Sequence, residues 1–267
     1  MATNASSTPF SRPLDPSSSL RLFCFPYAGG NSTFYRGWGE EMPEAVEVCP
    51  IQLAGRGHRL GEPLMTNADA IVESLAPKLL PYLDRPFAFF GHSMGALISF
   101  ELTRFLRRKY NLEPVHLFIS AWRSPEVVEL KREYDLPHDE FVAMLRRLNG
   151  TPEEILENPE ALAFLLPIIR ADFQVCQTYI HRKEPPLSCP ITAFGGMKDP
   201  GTALSAIRLW KHQTTGVFSM NVLPGDHFFI LQYREQLISL VARSLAGVVG
   251  GLMQPHRLLT LRPLLTE

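Results

Sequence analysis

An α/β fold with a mostly parallel, doubly wound sheet and an inserted helical lid is predicted by three observations. Short apolar runs alternate with stretches of helical periodicity along most of the chain. One run, Phe87-Ala88-Phe89-Phe90, leads directly into Gly91-His92-Ser93-Met94-Gly95 and then into a helical pattern. The interval from about 125 to 186 breaks the alternation, being helix-rich with no convincing strand.

The elements follow in order. Residues 1–19 are rich in Ser, Thr, Pro and Asn and read as a flexible tail. They lack the basic start and apolar stretch of a secretory signal. Residues 20–25 form the first strand, ended by Pro26, and Tyr27-Ala28-Gly29-Gly30 is the loop after it. A helix is expected to hold Phe34, Tyr35 and Trp38. Residues 46–51 give a second strand, followed by the turn Gly55-Arg56-Gly57. Ile71, Leu75, Leu79 and Leu80 set a helical period within 67–83. The run 87–90, bounded by Pro86 and Gly91, suits a strand buried on both faces. Ala96, Leu97, Phe100, Leu102 and Phe105 mark the next helix, and Arg104, Arg107, Arg108 and Lys109 load its C-terminal end with positive charge. Residues 115–120, 191–194 and 218–222 supply three more strands. Lid helices are expected over 139–148, 152–157 and 159 to about 181. Phe164, Leu165, Leu166, Ile168, Ile169 and Phe173 are candidates to line a channel beneath them. Gly250-Gly251 is expected to end the last helix, leaving a leucine-rich tail over 250–267. The domain thus spans 20–249, with the lid at about 125–186.

Composition bounds the function. A chain of 267 residues, 45% hydrophobic, can bury a sizeable core. A net charge of −1 leaves no electrostatic footprint for nucleic acid. No run is long and apolar enough to span a membrane. Cys24, Cys49, Cys176 and Cys189 lack metal-ligand spacing and the pattern of a small disulfide scaffold. They read as thiols in a reducing cytoplasm.

The chemistry centres on Ser93. Strand, sharp turn and helix would hold it at the apex of a nucleophile elbow, exposed at the strand's carboxyl end. Side chains two residues before and after would crowd the neighbouring backbone, and both positions are glycine. A serine nucleophile needs a base, and the base an orienting acid. His227 fits the base, in the loop Pro224-Gly225-Asp226-His227 after the last strand. Asp199, in the loop after 191–194, fits the acid and lies between the other two in chain order. Asp226 is too near the histidine in sequence, and Asp172 lies in the lid. His92 should point away from its neighbour Ser93. The backbone N–H groups of Met94 and Ala28 are the candidate oxyanion donors.

The stretches LFCFPYAGG (22–30), VCPIQLAGRG (48–57), RPFAFFGHSMGALISFEL (85–102), PIIRADF (167–173), CPITAFGGMKDP (189–200) and LPGDHFFIL (223–231) carry a resemblance. The chain resembles the type II thioesterases of polyketide and nonribosomal peptide synthesis, within the α/β-hydrolase superfamily, from about 20 to 246. The resemblance implies hydrolysis of acyl groups from the phosphopantetheine arms of acyl or peptidyl carrier proteins. It puts the triad on Ser93, Asp199 and His227 and the oxyanion donors on Ala28 and Met94. No cofactor, metal, nucleic acid or membrane is expected, and the protein is expected to be a cytoplasmic monomer. Arg56, Arg59, Arg123, Arg146 and Arg147 are candidates to dock an acidic carrier. A small-molecule carboxylesterase or lipase on the same fold, or a non-catalytic acyl-carrier binder, stays open as an alternative.

Overall fold

The computed structural model describes residues 8–128 and 131–252. Six strands form one sheet: β1 (Leu20–Phe25), β2 (Val46–Pro50), β3 (Phe87–His92), β4 (His116–Ser120), β5 (Ile191–Gly196) and β6 (Phe218–Leu223). All neighbours are parallel, in the order β2-β1-β3-β4-β5-β6. The chain reverses its direction of travel at β1, which opens a crevice at the carboxyl ends of β1 and β3. Phe23, Phe25 and Phe89 project to one face of the sheet; Leu22, Cys24 and Phe90 project to the other, and all six are fully buried. Parallel strands covered on both sides need this double apolar surface.

The first face carries α1 (Ala68–Leu79) and α2 (Met94–Tyr110). Asn67 caps α1 by accepting from the Ala70 N–H. At the other end of α2, Asn111 takes the left-handed conformation (φ 52°), and its N–H satisfies the Arg107 and Leu106 carbonyls. The lid comprises α3 (His138–Leu148), α4 (Glu153–Leu156) and α5 (Pro159–Gln177). Phe141, Leu145, Leu162, Leu166 and Ile169 give it a small core of its own. Between β4 and the start of β5 no strand forms among the described residues. Two short helices, α6 (Leu204–Arg208) and α7 (Phe229–Gln232), follow β5 and β6. The last, α8 (Arg234–Leu252), covers the second face. No helix of the described residues is long and apolar enough to cross a membrane.

Three expectations are corrected. Residues 32–41 form two 3-10 turns, Ser32–Tyr35 and Trp38–Glu41, because Gly37 between them sits at φ 78° and breaks the run. Tyr35 and Trp38 are buried all the same. Residues 8–19 are packed against the domain: Phe10 is buried against Phe23 and Tyr82, and Glu47 accepts from the Asp15 N–H. Phe10, the core-packed Leu14 and hydrogen bonds from Arg85 to the Pro16 and Ser18 carbonyls together hold this polar segment on the domain. Helix α8 continues through Gly250 and Gly251, because both are exposed while Leu237, Val241, Leu245 and Val249 bury the opposite face. A helical glycine costs only about 1 kcal/mol. The leucines of 258–265 lie outside the described residues.

Two buried histidines are expected to make stability depend on pH. His116 stacks on Phe118 with centroids 4.2 Å apart and shares a 2.8 Å hydrogen bond between Nε2 and Thr192 Oγ1. Burial pushes its pKa from 6.5 down to about 4. Burial, then the nearby His227, hold His92 well below its ordinary value. The unfolded chain therefore binds protons below pH 6.5 that the native state refuses. Stability is expected to fall as pH drops from 6.5 towards 4, with His116 contributing up to about 1.4 kcal/mol per pH unit. Urea unfolding of His116→Gln across this window should give a shallower acid slope than the unsubstituted chain; an unchanged slope would clear His116 of the effect.

Candidate active site

The elbow joins β3 to α2. Ser93 sits at φ 54°, ψ −120°, a strained setting for a residue with a side chain. Its N–H donates to the Ser120 carbonyl at 2.8 Å, extending the β3–β4 ladder to the apex. A Cβ at Gly91 would lie 2.2 Å from the Gly95 carbonyl oxygen, and one at Gly95 would lie 2.1 Å from that of Phe25. The glycines thus let the turn close against both α2 and the end of β1.

His227 reaches the elbow from the loop after β6. Gly225, at φ 101°, makes the bend. Asp226 Oδ1 accepts from the Phe228 N–H at 2.8 Å, so this aspartate shapes the loop. The β5 loop is laced to it, the Met197 and Lys198 N–H groups donating to the Leu223 and Gly225 carbonyls. His227 Nε2 lies 3.0 Å from Ser93 Oγ and Nδ1 lies 2.8 Å from Asp199 Oδ2. The Asp199 side chain is fully buried, and its Oδ1 accepts from the Gly201 and Thr202 N–H groups. A carboxylate so fixed sets the tautomer: Nδ1 carries the proton and Nε2 accepts from the serine. His92 is buried and turned towards Ser120 Oγ, 2.9 Å from its Nδ1, with its ring 5.6 Å from that of His227.

Neither the Ala28 nor the Met94 N–H has a protein acceptor among the described residues. Met94 opens α2, where the first amides lack helical partners and the helix dipole favours negative charge. Ala28 lies in the turn after β1, closed by the Gly30 N–H on the Tyr27 carbonyl at 2.9 Å.

A cavity of about 160 Å³ adjoins the serine. Ala28, Ser93, Asp199 and His227 line one side; Leu145, Leu148, Ile169 and Phe173 of the lid line the other. Of the six residues expected in the channel, only Ile169 and Phe173 reach it. Leu166 and Ile168 are buried and Phe164 is exposed, because a helix can turn only part of its circumference to a cavity.

Two docking candidates are corrected. Arg56 and Arg59 are buried, Arg56 on Asp172 and Arg59 on Glu62 and the Gln52 carbonyl. Their charge is spent inside the fold. Arg146 and Arg147 are exposed, and Arg147 lines the cavity mouth with the half-exposed Arg123. The sequence reading missed Trp122, Lys131, Glu133 and Gln177 on the cavity wall, since no local spacing distinguishes them from ordinary surface or core.

A family model described as a thioesterase domain matches residues 20–245. The gramicidin S biosynthesis protein GrsT of Aneurinibacillus migulanus is 45% identical over 238 residues, covering 89% of this chain and 93% of its own. Thioesterase PikA5 of Streptomyces venezuelae is 34% identical, covering 80% and 77%. Among solved structures, the RedJ thioesterase of the prodiginine biosynthetic pathway in Streptomyces coelicolor superposes with a TM-score of 0.81 at 36% identity, covering 88% of this chain and 90% of that one.

Proposed function

This chain belongs to the thioesterase family, and from that membership we propose that it clears acyl groups from the phosphopantetheine arms of carrier proteins in polyketide or nonribosomal peptide synthesis. The observation that carries the reading is the continuous relay from Asp199 through His227 to Ser93, at 2.8 and 3.0 Å, beside a partly apolar cavity.

The mechanism follows from that geometry. Ser93 Oγ attacks the thioester carbonyl as His227 Nε2 takes its proton. Asp199 holds the imidazole and stabilises the imidazolium that forms. The tetrahedral oxyanion is met by the Ala28 and Met94 amides, each such donor being worth about 2.7–4 kcal/mol in the transition state. His227 returns the proton to the departing pantetheine sulfur. Water, deprotonated by His227, then attacks the acyl-serine, and collapse frees the carboxylic acid and restores Ser93. The exposed Arg147, which lines the cavity, suits an acidic carrier surface.

The test compares acyl-loaded carrier protein with a p-nitrophenyl ester of the same acyl group. A carrier-directed thioesterase should favour the carrier by at least about 100-fold in kcat/KM, a difference of roughly 2.7 kcal/mol in transition-state binding. Equal constants would point to a general esterase.

A further inference from the structure

Asp172 projects from lid helix α5 with its side chain fully buried, far from the reacting atoms in sequence and outside the Asp199–His227–Ser93 relay. Its Oδ2 accepts from the Gly29 N–H at 2.7 Å and from Arg56 Nη1 at 2.5 Å, while Oδ1 accepts from Arg56 Nη2 at 2.7 Å. Arg56 is buried too and also donates to the Gly30 and Ala54 carbonyls. One turn back on the same face of α5, Ile169 blocks the space beside Gly29, where a Cβ would meet its Cγ1 at 2.8 Å. Gly29 is at φ 78°, the value a type II turn needs at its third residue. Types I and II differ by a half-rotation of the central peptide, here the one joining Ala28 to Gly29. Its N–H is the group that Asp172 holds.

We infer that Asp172, aimed by Arg56, is a positioning residue for the oxyanion loop: it locks the Ala28–Gly29 peptide, steadies through it the adjoining Tyr27–Ala28 peptide that carries the Ala28 N–H, and ties the loop's setting to the seating of lid helix α5. The inference rests on the proposed role of the Ala28 amide. A buried ion pair adds little net stability over an apolar pair of the same volume. An apolar pair could not supply directional bonds to Gly29 and Gly30, and those bonds are what this pair makes. Unseating α5 would release the Gly29 N–H and loosen the turn that presents the Ala28 amide.

The test uses Asp172→Asn and, to avoid an orphaned buried guanidinium, the neutral pair Arg56→Gln/Asp172→Asn. The substrate is an acyl-pantetheine thioester, which removes carrier docking from the measurement. A carbonyl-labelled acyl trifluoromethyl ketone, adding Ser93 Oγ to its carbonyl carbon, reports the ionisation of the hemiketal oxygen by ¹³C NMR. We expect kcat to fall about 10- to 100-fold with KM changed less than about 3-fold. The hemiketal should ionise at a pH higher by about one unit or more, because its oxyanion is met by a less well aligned donor. The pH dependence of serine labelling by a fluorophosphonate, which reports His227, should stay in place. Folded variants with unchanged kcat overturn the inference, and so does a lowered kcat with an unmoved hemiketal titration, which would mark a general packing role. Absence of any adduct on Ser93 in the unsubstituted enzyme would instead overturn the reading of the site, and this inference with it.

Discussion

Ser93→Ala is expected to lower kcat for acyl-thioester hydrolysis by about 10⁵- to 10⁶-fold. That corresponds to about 7–8 kcal/mol of lost transition-state stabilisation. The size follows from what the hydroxyl does: without it no acyl-enzyme forms, and direct attack by water keeps only the oxyanion donors and the binding energy. KM should change little, because Ser93 is one of many residues lining the cavity. The fold should survive, since Ser93 Oγ bonds only His227 among the described residues and alanine bears φ 54° no worse than serine does. His227→Ala should cost a similar factor, and the double variant little more, since the two groups act as a unit. Steady-state turnover with matched thermal unfolding curves is the measurement. A folded Ser93→Ala enzyme within tenfold of full turnover would falsify the serine mechanism.

The residues of the relay were legible because their signals are local. A nucleophile elbow demands glycine two positions either side of the serine, and the other two groups sit in short loops that directly follow strands. The alternation of apolar runs and helical periods gave the sheet for the same reason. What escaped the sequence depends on distant partners. Arg56 looks like surface charge in the turn Gly55-Arg56-Gly57, and only Asp172, 116 positions further on, turns it inward. Phe10 lies in a polar stretch that reads as a tail, yet it finds Phe23 and Tyr82. The glycines near the end of α8 predict a break that burial of Leu245 and Val249 overrides. The trio of Tyr35, Trp38 and Phe90 packs as an apolar helix face would, so the pattern could not separate one helix from two 3-10 turns split at Gly37.

Gly95→Ala is expected to cost the fold more than about 4 kcal/mol, the range reserved for clashes that the structure cannot relax. The added methyl would lie 2.1 Å from the Phe25 carbonyl oxygen, 2.6 Å from its carbon and 2.8 Å from the Pro26 oxygen. All three atoms are backbone, and no rotamer change can relieve them. Relief requires α2 to withdraw from the end of β1. Phe25, however, is paired to Gly91 in the sheet, and Met94, Ala96, Leu97 and Ile98 are fully buried beneath it. At this chain length the loss should lower Tm by about 10 °C or more. Any fraction that folds should also be a poor enzyme. The end of β1 leads into the Ala28 turn and the start of α2 carries the Met94 amide, so the displacement would separate the two amides proposed to meet the oxyanion. Gly247→Ala provides the contrast within the same assay. It is exposed, helical and has nothing within 4 Å of the new methyl, so it should raise stability by about 0.5–1 kcal/mol and leave kcat alone. Equal melting curves for the two variants would mean that close approach at the elbow does not limit this fold; a large gap, with kcat falling only for Gly95→Ala, would assign the cost to the contact between α2 and β1.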